Sequence, residues 1–581
     1  MEHGNDQNQD SSSSSSSGRP GAVNPAEVLA GDPEGTERAA DEQLAGDMAR
    51  TALGAGDDEV REGVEARVQA TEAALASQRP DSGDNNGKIS SRYIQACLSA
   101  SEMGDGMLYA AANRSRYTYN ATAGEWLVWE ENHWSQDVGE ESRSGVEYVA
   151  EEYGNELKKI AEQLGKVKEP EQFTFLQGLQ KRLYKQIQKL RTSRGRQTCL
   201  EFAHANIDNP LRVLGDQLDN KSYLLACKNG VINLLTGELR AGRHEDFLTM
   251  ASPIEWKGLH APAPAWDKML LEVMSGDKEL VAYLGRLFGY CVSGSTKTHV
   301  LPVLWGQGRN GKGTIIETIN HVMGPLSSPI PAAMLLDQGK FKSSSGPSPD
   351  IMALRGLRLA FASETDQHGR FSTSQVKWLS GADTLTGRWP HDKHPTTFKA
   401  THKLILLTNH KPYAPSHDFG FWERLHLVPF MLSFVDREVR AENERKADPD
   451  LPETLLDEAD GVLAWLVRGC MEWQFRGLDP PPVIKKATAE YQRDQDILID
   501  FIEDCCHMDP KEQVAASSLY DAFQEWWKEN ISSEEKKIPS QRRFGNLMRE
   551  RGVDKKKKGT YFYLGIRLLL EWEKKTGEES G

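Results

Sequence analysis

The chain has 581 residues, 38% hydrophobic and 27% charged, with a formal net charge of −15 from 85 acids and 70 bases. That length supports several domains with sizeable cores; no run of about 18 apolar residues offers a membrane-spanning helix, and the start at Met1-Glu2-His3 lacks the basic and apolar regions of a secretion signal. Residues 1–90 hold 18 acids and 7 bases, leaving 67 acids and 63 bases in the other 491, so the overall acidity does not exclude a nucleic-acid partner.

Residues 1–92 read as a disordered, acidic, Ser-rich tail. Ser11 to Ser17 form an unbroken run, and no Trp, Phe or Tyr in the first 90 residues can anchor a core. Short helices are expected at most around 36–50 and 59–77. Residues 93–295 read as an α+β domain. Asn120 to Gly124 form a turn between aromatic strands, Val146 to Arg196 is helical throughout, Asn229-Gly230 and Thr236-Gly237 are hairpin signals, and Trp266 to Val292 is helical. The seven cysteines (Cys97, Cys199, Cys227, Cys291, Cys470, Cys505 and Cys506) show no Cys-x-x-Cys spacing, which fits a reducing compartment and argues against a zinc ribbon. Cys505-Cys506-His507 is read as structural, because adjacent side chains on a helix diverge.

Residues 296–435 alternate strands with helices, as an α/β core does. The apolar run His299 to Trp305 enters Gly306-Gln307-Gly308-Arg309-Asn310-Gly311-Lys312-Gly313-Thr314, and Ile315 to Met323 follows as a helix. Strand, glycine loop and helix together are the setting of a P-loop, in which backbone N–H groups surround phosphates and the lysine reaches them. Gly306, Gly308, Asn310, Gly311, Lys312, Gly313 and Thr314 are therefore the expected nucleotide-binding residues, with ATP and Mg²⁺ as the implied ligands. Gly313 stands where the motif carries a hydroxyl for Mg²⁺; Thr314, one place later, is expected to serve directly or through water. A second strand, Leu357 to Ser363, leads to Glu364 and then Asp366 as acids for Mg²⁺ and the attacking water. A third, Lys403 to Thr408, ends in Asn409, placed to orient water near the terminal phosphate.

The order of Gly306 to Lys312, Glu364, "VKWLSGADTLTGRWPHDKHPTTFKATHKL" (376–404), Asn409 and "FGFWERLHLVPF" (419–430) resembles superfamily 3 DNA helicases. The variety is similar to the C-terminal helicase of phage and plasmid primase–helicases, related to the poxvirus primase–helicase. "RYTYNATAGEWLVWEENHW" (116–134), "KNGVINLLTGEL" (228–239), "LGRLFGYCVSG" (284–294) and "GLDPPPVIKKATAEYQRDQDILIDFIED" (477–504) extend the resemblance to about residues 100–570. It implies an AAA+-like core in a hexameric ring with ATP between subunits. In that scheme Lys312 binds phosphate, Glu364 handles Mg²⁺ and water, Asn409 is the sensor, and Arg424 acts as the arginine finger on the neighbouring subunit's nucleotide. It also implies a pore hairpin after the Glu364 strand, with Lys393 and either His391 or His394 at its tip on single-stranded DNA.

Residues 436–495 read as a charged helical segment, 496–572 as a winged-helix DNA-binding domain, and 573–581 as a tail. Residues 541–567 carry nine Lys or Arg and two acids. A capped helix from Ser540 to Gly552 with Arg542 and Arg543, followed by a hairpin with Lys556 and Lys557, suits a helix in the major groove and a wing along phosphates. The whole reads as a multidomain α/β ATP-dependent DNA helicase of phage, prophage or plasmid replication, in the cytoplasm of a bacterial host, with primase activity in a separate protein. The rival reading is a P-loop ATPase serving as an origin-binding or loading platform, or as a packaging or remodelling motor without unwinding.

Overall fold

The computed structural model describes residues 89–205, 211–337, 346–364, 369–390, 394–416, 418–530 and 538–570. The chain divides into two compact units, Met1–Arg79 and Pro80–Gly581, and every described residue lies in the second. The expected helices at 36–50 and 59–77 and the tail at 573–581 fall outside the described residues.

Ser90 opens the described fold by accepting a hydrogen bond from Tyr93 N at 3.2 Å, which caps α1 (Ser91–Ser99). After α2 (Ser101–Asn113), the strands β1 (Tyr117–Asn120), β2 (Glu125–Glu130) and β3 (His133–Gln136) form an antiparallel meander. Asn120 makes the expected turn, its side chain accepting from Thr122 N and Ala123 N. The charged stretch then forms three helices, α3 (Val146–Leu164), α4 (Pro170–Leu190) and α5 (Ser193–Ala205). The first break falls before Pro170, which opens α4; at the second, Thr192 accepts from Gly195 N at 3.0 Å and starts a new helix. β4 (Arg212–Val213) joins β1 in parallel. A second small sheet holds β5 (Leu224–Cys227), β6 (Gly230–Asn233), β7 (Glu238–Arg240) and β8 (Ala251–Ser252), with both expected hairpins present. The helical run that follows is two helices, α6 (Pro264–Val273) and α7 (Lys278–Val292), parted at Ser275 and Gly276, both at positive φ.

The central part runs through β9 (Leu301–Trp305), α8 (Lys312–Met323), β10 (Ser327–Pro329), β11 (Leu359–Glu364), α9 (Thr373–Leu379), the hairpin β12 (Thr384–Gly387) and β13 (Thr396–Lys399), β14 (Lys403–Thr408) and β15 (Leu425–Pro429). Five of these strands form one wholly parallel sheet in the order β10-β11-β14-β9-β15. Period-2 alternation sends Leu304, Phe361, Ile405 and Leu407 to one face and Val303, Ala360, Leu404 and Leu406 to the other. Pro302 is tolerated in the middle of this sheet because the β9–β14 ladder begins only at Val303.

The next segment corrects an expectation. Residues 436–450 are not helical: β16 (Ser433–Val435) pairs in parallel with β17 (Glu444–Lys446), and helix begins with α10 (Leu451–Asp457), α11 (Ala459–Arg476) and α12 (Pro482–Asp494). The reason is local. Glu444 accepts from Arg437 Nη1 at 2.9 Å and from the backbone N of Arg440 at 2.8 Å, folding the charged run back on itself. The last part packs α13 (Ile497–Cys505), α14 (Ala516–Asn530) and α15 (Gln541–Glu550) on an antiparallel sheet ordered β18 (Cys506–Ala515), β20 (Thr560–Leu568), β19 (Lys555–Lys558). Phe501, Phe523, Phe544 and Tyr563 fill its core. Among the described residues, no cluster of three or more His, Cys, Asp or Glu is placed to hold a metal ion, and no helix is long and apolar enough to cross a membrane.

The hydrophobic packing does not stop at residue 295. One buried cluster joins Leu225, Trp266 and Phe288 to Ile315, Ile405 and Trp465, so residues 223–292 and α11 cover one face of the parallel sheet together. α7 and α11 touch backbone to backbone. A Cβ on Gly469 would lie 1.9 Å from Gly285 O, and one on Gly289 would lie 2.1 Å from Cys470 N. No rotamer change relieves a clash with backbone, so Gly469→Val is expected to cost more than the ~1–3 kcal/mol of ordinary overpacking. Thermal unfolding of the two proteins checks this; an unchanged midpoint would mean that the helices do not cross at these glycines.

Candidate nucleotide and nucleic-acid sites

β9 ends at the glycine loop, where Gly306, Gly308 and Gly311 each have their own reason. A Cβ on Gly306 would lie 2.1 Å from Asn310 Nδ2 and 2.3 Å from Phe430 O, so only glycine fits there. Gly308 and Gly311 take φ values of +99° and +82°, which glycine adopts without strain. Gly311 also lies against α6, since its Cβ would come within 2.8 Å of Val273 Cγ2. Gly313 differs: a Cβ there meets nothing within 4 Å, so no steric need explains the missing hydroxyl.

The loop and the ends of the neighbouring strands enclose a cleft of about 340 Å³. Gly308, Asn310, Gly311, Lys312, Gly313 and Thr314 line it from the loop, and Ser363, Thr408 and Asn409 from the strand ends. Lys312 is 6% exposed. Its Nζ donates to Gly306 O at 2.7 Å, to Asn310 Oδ1 at 3.0 Å and to Asn409 Oδ1 at 3.3 Å. All three acceptors are neutral, and burial brings the ammonium down to about 8. Among the described residues the cleft wall holds two cations, Lys312 and Arg309, and no acid. Backbone amides, the Asn409 carboxamide and cations in one concave site suit a phosphate ester.

Glu364 ends β11 opposite Thr408 in the register, which sets its backbone one residue from the level of Asn409. Asp366 lies outside the described residues, as do His391 and Lys393. The hairpin expected to carry those last two is present as β12–β13, paired from Thr384↔Lys399 to Gly387↔Thr396. His394 is exposed beyond it, and Trp389, which sequence reasoning passed over, is 43% exposed near the tip.

Arg424 is not in the cleft. It precedes β15, and its carbonyl accepts from Leu301 N at 2.6 Å, at the start of β9. Parallel strands therefore put Arg424 at the end of the sheet opposite the glycine loop. Arg424 Nη1 donates to Gly420 O, and its Nε is buried without a partner. Nearby, Lys377 holds Asp418 at 2.9 Å. Burial pushes the Asp418 carboxyl up, but hydrogen bonds from Lys377 and Thr373 outweigh it and leave it below the ordinary range.

Arg542 and Arg543 are exposed in the first turn of α15, whose other face buries Phe544 and Met548. Ser540 caps that helix, accepting from Arg543 N at 3.4 Å. Lys556 and Lys557 are exposed on the following hairpin. Lys555 Nζ sits 4.8 Å from the Tyr561 ring centroid, a cation–π contact that stiffens the basic strand.

Comparison with known proteins finds similarity over parts of the chain. Residues 106–275 match the family described as D5 N terminal like, a stretch that ends just past Val273, where α6 meets Gly311. A provisionally named helicase of Acanthamoeba polyphaga mimivirus is 28% identical over 347 residues, covering 58% of this chain and 36% of that protein. Another, from Frog virus 3 (isolate Goorha), is 24% identical over 389 residues, covering 54% and 40%. The chain thus spans two-fifths or less of the length of these relatives. A solved structure titled as the apo C terminal region of NrS-1 is 12% identical, with 75% of this chain and 82% of that chain covered and a TM-score of 0.38. The chain is thus similar, over part of its length, to viral proteins that are provisionally named helicases.

The low Lys312 value has a sign that can be tested. An arriving phosphate anion favours the charged amine, so ligand binding raises its pKa from about 8. Binding of ADP is expected to take up protons at pH 8.5 and to weaken as pH rises beyond 8. Calorimetric titrations in buffers of different ionisation enthalpy measure the uptake; none at pH 8.5 would mean that the amine is already charged in the free protein or does not meet the phosphates.

Proposed function

We propose that the chain is an ATP-dependent DNA helicase acting in the replication of a phage, virus or plasmid genome. It works as a hexameric ring with ATP held between subunits. The observation that carries the reading is the division of charge across the parallel sheet. Lys312 and Asn409 meet in the cleft at its C-terminal end, while Arg424 stands at the other end with an unsatisfied N–H.

In this reading the loop amides and Lys312 hold the β- and γ-phosphates. Asn409 leaves Lys312 to orient the attacking water. Mg²⁺, held by Thr314, Glu364 and Asp366, would neutralise charge on the phosphate oxygens. The residues fit a metal-bound nucleotide: the Thr314 and Thr408 hydroxyls, the Asn310 and Asn409 carboxamides and the two cations line the pocket, and no described acid of its wall repels the phosphates. Arg424 is too far from its own cleft to stabilise the transferred phosphoryl, so its donors serve the adjoining subunit's nucleotide. The strand order, with the glycine-loop strand between β14 and β15, agrees with an AAA+-like core. The exposed β12–β13 hairpin, with Lys393 and His391 or His394 at its tip, tracks single-stranded DNA. The helix order and β18-β20-β19 ladder of the C-terminal part support a winged-helix reading, in which Arg542 and Arg543 would meet duplex DNA and Lys556 and Lys557 its phosphates.

Lys312→Ala is expected to abolish ATP hydrolysis and strand displacement on a tailed duplex. Arg424→Ala should lower hydrolysis by about 10³-fold or more, and mixing the two variants should restore part of it. Hydrolysis without strand displacement by the unsubstituted protein would sink the helicase reading in favour of a loading platform or packaging motor. No recovery on mixing would sink the shared site.

A further inference from the structure

Arg309 occupies one of the four positions that the motif G-x-x-x-x-G-K leaves undefined. It lines the cleft beside Lys312, yet its side chain is turned to a partner outside the wall. We infer that Arg309 is a second cationic ligand for the nucleotide phosphates, held aside by Asp436 until a nucleotide competes for it. This rests on the nucleotide reading above.

The backbone fixes where the guanidinium can go. Arg309 takes a φ of +46°, between Gly308 and Asn310, a left-handed conformation that a side chain adopts only when its surroundings impose it. Here the imposing contact is Phe434 N, which donates to Arg309 O at 2.6 Å. Arg309 Nη1 then donates to Asp436 Oδ2 at 2.8 Å.

Asp436 sits on a stiff support. The strap from Ser433 to Lys446 is closed by the β16–β17 ladder, by Arg437 on Glu444, and by Lys446 donating to the Asp436 carbonyl. Hydrogen bonds from Arg437 hold the Glu444 carboxyl down to about 2, so this brace stays charged at any working pH. The strap therefore presents Asp436 at a set place beside the loop.

Competition decides the outcome. The Arg309 and Asp436 side chains are 69% and 77% exposed, so water screens their pair and leaves it weak. Guanidinium to phosphate is charge-assisted and can be bidentate, with Lys312 and the loop amides beside it to hold the same anion. The exchange runs towards phosphate. It frees Asp436 and leaves the strap tied to the loop through Phe434, so the strap is positioned to register whether the cleft is filled.

ADP affinity of the full chain, measured by calorimetry, tests this. Arg309→Gln is expected to weaken binding about tenfold or more, the scale of one charged hydrogen bond. Asp436→Asn should tighten it about two- to fivefold, the scale of an exposed ion pair, and should change nothing when added to Arg309→Gln. Equal tightening in both backgrounds would overturn the latch, because Asp436 would then be repelling phosphate directly. Unchanged affinity in Arg309→Gln would overturn the ligand role while leaving the nucleotide reading intact. Failure of the unsubstituted protein to bind ADP would overturn that reading, and this inference with it.

Discussion

The common direction of the five core strands is the constraint on which the rest depends. Because β10, β11, β14, β9 and β15 all run one way, every loop leaving a strand gathers at one end of the sheet. The glycine loop, Ser363 and Asn409 meet there because each follows directly from, or ends, a strand of that sheet. The same direction sends residues that precede strands to the opposite end. Arg424 and the buried Lys403 belong to that group. A site needing both Lys312 and Arg424 cannot be closed within one chain of this topology, whatever the side chains do.

A second consequence concerns the residues before the sheet. The N-terminal ends of β11 and β14 carry two buried cations, Arg358 and Lys403, whose hydrogen bonds go to backbone carbonyls. Arg358 donates to Val292 O at 2.7 Å and to Leu224 O at 2.5 Å, and Lys403 donates to Ser293 O. Burial lowers Lys403 to about 7 and Arg358 to about 10. Leaving such groups unpaired in a core costs several kcal/mol, so the carbonyls of 292 and 293 are held where the cations need them. With the glycine crossing of α7 on α11 and the contact of Val273 with Gly311, the segment from Leu224 to Val292 is bound to the sheet at three places. It is part of the body that shapes the cleft.

The sequence made the cleft legible because its signals are local. A strand, a loop in which Gly306, Gly308 and Gly311 answer a steric or φ requirement, and a helix occupy 25 consecutive residues from His299 to Met323. Asn409 was legible for the same reason, as the polar end of a six-residue apolar strand. The strap was not. Its residues Asp436 to Asp448 are ordinary helix formers, and what stops the helix is a set of contacts between Arg437, Arg440 and Glu444 together with a hydrogen bond reaching back 125 positions to Arg309. The single domain boundary drawn at residue 295 also missed the packing of α7 on α11, which pairs residues more than 180 apart. Arg309 carried no signal because motifs weigh glycines and lysine, and the position between them is free to vary in kind.

Between Asn409 and the C-terminal part the chain offers little slack. The loop after Asn409 is held by the last turns of α12: Tyr491 donates to Pro412 O, Gln492 Nε2 to Ser416 O at 2.8 Å, and Lys411 pairs with Asp494 at 3.2 Å. Lys411 Nζ also lies 4.9 Å from the Trp305 ring centroid, at the strand end that feeds the glycine loop. Two residues past α12, Asp496 pairs with Arg551 at the end of α15, the helix that carries Arg542 and Arg543. The other end of the loop reaches Asp418, held by Lys377, and then Arg424. A loop so short, fixed along its length by one helix, cannot move at Asn409 without moving α12 or breaking these bonds. Any rearrangement at the strand ends must therefore be shared between the helix leading to the C-terminal part and the arginine at the far end of the sheet.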